Sequence, residues 1–464
     1  VRRGGARRVA GPRAGHGRSP VPAGRHAAGP EPQDGLLPLL GQAVAGLRGT
    51  LRYRVSPARA HLALAGWAAV WFLIMARHGG VSWHYFVEGG DGLLSFAQAG
   101  GGLHLYATNP QLQMGPLTFL VSGVLILPGP SIGLFAAQLV MALGGLLALV
   151  VACRLGDEVR PPRSRADSGR RLLLSGLAFV PVWMNLAVRF VHVDDVLALM
   201  LAILAVRAVR HRHGLAAGVL IGLSVDAKPW ALPFAALLLA LPAGDRRGPL
   251  LAMAGTVATA WLPFLLADPG TLAATRFTIE NTAASTLRTL GVHSAVTPWW
   301  DRPAQAALGL LLAGIAVRRG RWAAVVLLAT GARVVLDPGS YTYYAAGLAV
   351  GALLWDQVGT RRALPVWTWS CASVLFAGRW LPLPPSVHGW TRLVFFLLCV
   401  AFLVVPRRAL LPRSGSAGPQ PRQGGDPPAW PDSGSLPWPD TGAAPYRVPL
   451  AAGSAPYDAR RSRS

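Results

Sequence analysis

Lysine is almost missing from this chain: Lys228 is the only one among 44 basic side chains. Charge of any kind is scarce, at 14% of residues against 52% hydrophobic ones. Soluble domains carry about a quarter charged residues, so a soluble fold over most of the length is excluded. Cysteine is nearly absent too. Cys153, Cys371 and Cys399 are odd in number, lie in or beside apolar runs and show no metal-ligand spacing, which excludes a disulfide framework and a cysteine-zinc site. No Gly-rich phosphate loop follows a strand, and no serine elbow or paired zinc motif occurs. Nucleotide-driven chemistry in the cytoplasm is therefore not expected; no cofactor is assigned, and the sequence does not decide whether a divalent metal is needed. Acids are few, and the net charge of +24 is mostly arginine in tails and short loops. Those arginines flank apolar runs, so they read as topology determinants and contacts to acidic membrane lipids. No folded basic surface remains for nucleic acid.

What the sequence does have is apolar helical segments. They occupy 62–77, 116–155, 172–188, 196–209, 215–225, 231–241, 250–266, 304–317, 322–336, 341–355, 364–377 and 393–405. The fold expected is all-α, a polytopic membrane domain over 62–406. Residues 1–34 form a basic tail expected to be disordered, without the apolar run of a secretory signal, and 35–61 an interfacial segment. Residues 407–464 are a Pro/Gly-rich tail, also expected to be disordered, with Trp430 and Trp438 beside prolines. The chain opens on valine, as a fragment or a non-standard start would.

Loop charge sets an orientation. Arg52, Arg54 and Arg59 precede the first run and place it with its N-terminus in the cytoplasm. The run 116–155 could cross twice, with Pro128 and Pro130 in its middle. If its first part is re-entrant or interfacial instead, the Arg160–Arg171 loop falls inside. So then do the arginines at 207–212, 246–247, 318–321, 361–362 and 407–408. This choice gives about twelve crossings with both termini cytoplasmic.

The same choice gathers polar groups outside: Asp91, the cluster His192, Asp194 and Asp195, the turn Asp226-Ala227-Lys228-Pro229, the loop 268–302, and Arg333 with Asp337. Ionisable groups at membrane depth are costly and mark sites. Asp91 stands among glycines; it can be a solvated turn acid or a base taking a proton from an acceptor hydroxyl. Asp195 can cap a helix, which leaves His192 and Asp194 to explain, with Arg189 as an ion-pair partner. Carboxylates and one histidine do not specify a metal. Lys228 sits at a proline break between short apolar runs, a setting that recurs at membrane ligand sites, and its ammonium suits a phosphate. Snorkelling or pairing with Asp226 is the plainer use. Arg276 and His293 in the 268–302 loop can meet a phosphate or sugar, or simply water. Trp299 and Trp300 are expected at an interface in any case.

The order of elements carries a resemblance. It runs from an outer-loop aspartate, through Leu105-Tyr106 into Gly115-Pro116-Leu117, to His192-Val193-Asp194-Asp195 and Lys228-Pro229. It closes with Arg333, Asp337-Pro338 and Tyr341-Thr342-Tyr343-Tyr344. Over about 62–405 the chain resembles the multi-pass glycosyltransferases of the C superfamily. The nearest likeness is to the actinobacterial polyprenyl-phosphate-mannose-dependent α-mannosyltransferases of glycosyltransferase family 87. Richness in Ala, Gly, Pro and Arg agrees with a GC-rich source. One departure is Gly115-Pro116, where relatives often carry two prolines.

The resemblance implies inverting transfer of a sugar, mannose by preference, from a polyprenyl-phosphate donor to an envelope glycolipid or glycan at the outer face of the plasma membrane. Asp91 would match the base. Lys228, Arg333 and Arg276 would hold the donor phosphate; His192, Asp194, Asp195, Tyr106 and His293 would line the substrate site. Two other classes fit the composition: a transporter or lipid flippase, which would place its charges nearer the midplane, and a non-catalytic partner in envelope assembly.

Overall fold

The computed structural model describes residues 55–96, 100–162, 164–360, 362 and 364–404. The tails at 1–34 and 407–464, and most of the 35–61 segment, lie outside the described residues. Among the described residues the regular elements are helical, and extended pairing is confined to an isolated antiparallel bridge between Glu280 and Val296.

Helix α1 (Pro57–Ala76) starts where the Ser56 hydroxyl accepts the Arg59 N–H at 3.4 Å, with proline in its first turn. There follow α2 (Trp83–Leu94), α3 (Pro116–Ile126), α4 (Pro130–Val159) and α5 (Arg165–Met184). Next come α6 (Val193–Arg210), α7 (Gly214–Ala227), a 3₁₀ helix (Pro229–Ala240) and α8 (Arg247–Ala267). The chain closes with α9 (Asp301–Arg318), α10 (Val325–Leu336), α11 (Ala345–Leu354) and α12 (Pro385–Val404).

Among the described residues, five helices are long and apolar enough to cross a membrane: Pro57–Ala76, Pro130–Val159, Arg165–Phe190, Ala243–Ala267 and Pro385–Val404. The most apolar window of Ala243–Ala267 is only 6% buried, whereas that of Arg165–Phe190 is 78% buried. An apolar helix exposed nearly all round suits contact with lipid, and the other is the centre of the bundle. The remaining apolar runs are shorter or charged. Helix α3 has 11 residues, about 16 Å at 1.5 Å per residue, roughly half a hydrocarbon core. That length agrees with a re-entrant or interfacial start to the 116–155 run. Helix α7 has 14 residues and the 3₁₀ helix 12, while α6 carries Asp194, Asp195, Arg207 and Arg210.

One irregularity positions the site. Helix α5 runs into a π turn over Asn185–Phe190 and ends at Val191, whose φ is 56°. A β-branched residue in the left-handed region is strained, and π turns recur at functional sites. The carbonyls released by the widened turn find donors elsewhere. Val188 O accepts from Gln138 at 3.0 Å, Arg189 O from Val81 N at 3.1 Å and Phe190 O from Ser82 N at 3.1 Å. These bonds tie the start of α2 to the end of α5 and turn the chain sharply into His192.

Candidate functional site

Asp194 and Asp195 lie in the first turn of α6, where free backbone N–H groups favour acids. Asp194 is wholly buried and accepts from the Asp195 N–H at 2.8 Å and from the Lys228 ammonium. His192 Nδ1 lies 3.1 Å from the same carboxylate, which only accepts, so Nδ1 carries the proton. Nε2 lies 3.1 Å from the Ser82 hydroxyl and shares a hydrogen bond with it. The imidazole stacks on Tyr343 with centroids 3.9 Å apart. Asp195 accepts from Trp230 Nε1 at 2.7 Å and from the Arg333 guanidinium at 3.2 Å. Arg333 is in turn held between the rings of Trp230, at 4.3 Å, and Tyr344, at 4.6 Å.

His192, Lys228, Trp230 and Arg333 face a cavity of about 570 Å³; Asp194 and Asp195 stand behind them, off its wall. The acids therefore aim the cations at the cavity. His192, Asp194 and Asp195 do offer three ligand atoms within 4.8 Å of one another. Their carboxylates, however, are already engaged by Lys228, Arg333 and Trp230.

More of the cavity wall comes from the start of α9 and the turn after α10. Arg302 donates to the Gln113 side chain and, at 2.8 Å, to the Phe277 carbonyl. Asp301 is fully buried; one oxygen accepts from Gln305 at 2.8 Å and the other has no partner. Asp301 precedes the apolar run of α9, and burial, then the neighbouring Asp337, push its carboxyl up to about 7. Burial also raises Asp337, although Arg333 and the Gly339 N–H oppose it.

Gly115 explains how Gln113 reaches this wall. Its N–H donates to Ala227 O at 3.0 Å, and a Cβ there would stand 1.3 Å from the Asp226 carbonyl oxygen. Only glycine permits that approach. Thr118 adds a bond to Ala227 O at 2.9 Å. The Gly115-Pro116 departure is thus a seat that presses the outer segment onto the Lys228 turn.

The sequence-predicted residues divide clearly. Lys228, Arg333, His192, Asp194 and Asp195 come together in one network. Asp91 does not join them: it is exposed on α2 and off the cavity wall. It lies two turns beyond His84, which lines the cavity, about 10 Å further along the helix. Tyr106 is buried structurally, its hydroxyl on Met114 O at 2.8 Å and its ring 5.0 Å from Trp261 and 5.1 Å from Phe264. Arg276 and His293 are exposed and off the wall. Sequence reasoning missed Asp301, Arg302, His84 and Trp230. An acid–base pair opening an apolar run was a usable signal for Asp301 and Arg302, of the kind that drew notice to Asp195.

Compared with protein-family models, curated proteins and solved structures, the chain matches none.

Proposed function

We propose that this chain is a membrane glycosyltransferase of the C-superfamily type. It would move a sugar, mannose first among candidates, from a polyprenyl-phosphate donor to an envelope glycolipid or glycan. The reading includes about twelve crossings, both termini in the cytoplasm and a site at the extracytoplasmic face of the plasma membrane.

The observation that carries it is the cavity itself. Lys228, Arg333 and Arg302 supply three cations to one space whose walls also hold a buried carboxylate with a free oxygen and several aromatic faces. The acceptor hydroxyl would give its proton to a base as its oxygen bonds to the anomeric carbon. The bond to the lipid phosphate would break with its electron pair on the phosphate oxygen. Positioned cations stabilise that developing charge, and a good leaving group needs no strong acid. Tyr85, Trp230 and Tyr343 offer ring faces for a sugar. Asp301 supports the role of base better than Asp91, because it faces the cavity. His192, Asp194 and Asp195 then act chiefly by holding Lys228 and Arg333.

The test is transfer of label from radiolabelled polyprenyl-phosphate-mannose to host lipids in membranes expressing the chain, at matched expression. Wild type and Asp91→Asn should both make product, whereas Asp301→Asn and Lys228→Ala should not. Loss in Asp91→Asn alone would return the base to Asp91. No product from wild type, in membranes that support another mannosyltransferase and with other lipid-linked sugars also tried, would reject the enzyme reading in favour of transport or a scaffold role.

A further inference from the structure

A second cavity, of about 690 Å³, lies on the other side of the π turn. Its body is apolar: Trp71 and Met75 of α1, Leu177 and Pro181 of α5, and Phe376 and Trp380 from the segment before α12. Its polar end is cationic, formed by Arg77, His78 and Arg189, and no Asp or Glu lines it. Among the described residues neither Arg77 nor Arg189 has a carboxylate within salt-bridge distance. The Arg189 guanidinium rests instead over the Trp380 ring at 5.4 Å and the Phe190 ring at 5.9 Å.

Two buried donors on this wall are left without an acceptor, Arg189 Nε and Trp71 Nε1. Buried donors are nearly always paired in native proteins, so both are free to meet an acceptor on a ligand. Trp71 lies six residues before Arg77 on α1, about 9 Å down the helix axis. The cavity thus offers a cationic mouth, a single donor one layer deeper, and apolar walls beyond. A glycerophospholipid presents its groups in that order: phosphate, ester carbonyl, acyl chain.

We propose that this cavity binds one anionic glycerophospholipid, its phosphate against Arg77, His78 and Arg189 and an acyl-ester carbonyl toward Trp71. The site is separate from the sugar-transfer cavity but shares a wall with it, since Arg189 faces one and Phe190 the other. Bound lipid would brace the π turn that leads through strained Val191 into His192. The proposal rests on the chain being a membrane protein and not on its catalysing sugar transfer.

The experiment uses the full chain purified in a neutral detergent, with dioleoyl phosphatidylglycerol as probe. Thermal unfolding and native mass spectrometry are followed as lipid is added, with dioleoyl phosphatidylcholine and free glycerol-3-phosphate as comparison arms. Phosphatidylglycerol should raise Tm saturably and leave one retained lipid; the other two should do neither. Arg189→Gln should weaken phosphatidylglycerol about tenfold, the loss of one charge-assisted hydrogen bond. Arg77 is exposed and bonds nothing, so Arg77→Gln should fold normally and show the same direction if Arg189→Gln is too unstable to assay. Equal shifts from both lipids, or full phosphatidylglycerol binding by both variants, would reduce the cavity to ordinary lipid contact and overturn the proposal. A response to glycerol-3-phosphate equal to that of the lipid would overturn the lipid assignment.

Discussion

Lys228→Met is the most informative perturbation of the network. Asp194 has no exposed surface, and the Lys228 ammonium is bonded directly to it, with His192 Nδ1 at 3.1 Å on the same carboxylate. Removing one partner of a buried ion pair costs about 3–5 kcal/mol. The remaining bonds from Asp195 N at 2.8 Å and His192 at 3.1 Å, and the helix N-terminus, moderate the loss, so the lower end, about 3 kcal/mol, is expected. Asp194→Asn alone keeps neutral acceptors but leaves the ammonium unmatched. The double variant Lys228→Met/Asp194→Asn removes the charge from both sides and should recover at least about 2 kcal/mol relative to additivity. Reversible unfolding by SDS in mixed micelles, for wild type, both singles and the double, measures the coupling. A single-variant loss below about 1 kcal/mol, or a double variant as unstable as the sum of the singles, would refute the view that Lys228 neutralises a buried carboxylate.

Four further outcomes follow from the same geometry. The Asp301 carboxyl is raised above its ordinary value, to about 7, so the native state holds a proton that the unfolded chain has already lost. Stability should therefore fall as pH rises from 4 to 7, and Asp301→Asn should flatten that slope in unfolding titrations; a rising slope would contradict the burial. On the proposed function, sugar transfer should instead increase through pH 7 as Asp301 ionises, read from a pH–rate profile. Arg333→Lys should not act conservatively, because an ammonium cannot lie flat between Trp230 and Tyr344. A loss of about 1–2 kcal/mol in the same SDS unfolding assay is expected. Gly115→Ala should disrupt the Gln113 segment, since its Cβ would overlap the Asp226 carbonyl; proteolysis after 109–116, at rates well above wild type, is the readout.

The sequence made the helices legible because apolar runs and proline breaks are local signals. It also carried the core of the site: Lys228 stood out by rarity, Arg333 by its depth in an apolar run, and His192, Asp194 and Asp195 by crowding at one boundary. What it could not carry was direction. Asp91 shares the outer segment with His84, but only the helix axis shows that it lies beyond the cavity. Tyr106 looked like a ring for substrate, yet its neighbours Trp261 and Phe264 come from a helix about 150 residues away in sequence. Asp301 and Arg302 were hidden for the same reason. Their partners, Asp337 and Gln113, are brought near only by folding. Loop charge gave an account of orientation, while length and composition single out five helices able to span a membrane among the described residues, because broken and charged helices carry no length signal of their own.

The acids behind Lys228 and Arg333 have one consequence for how the cavity meets an anion. In an exposed charged site, solution ions screen the attraction for phosphate, and affinity drops as salt is added. Here each of these two cations already holds an internal carboxylate, fixed by the fold and shielded from solvent. On the proposed function, a lipid phosphate entering there would meet cations already neutralised from within, so its capture would be nearly indifferent to ionic strength.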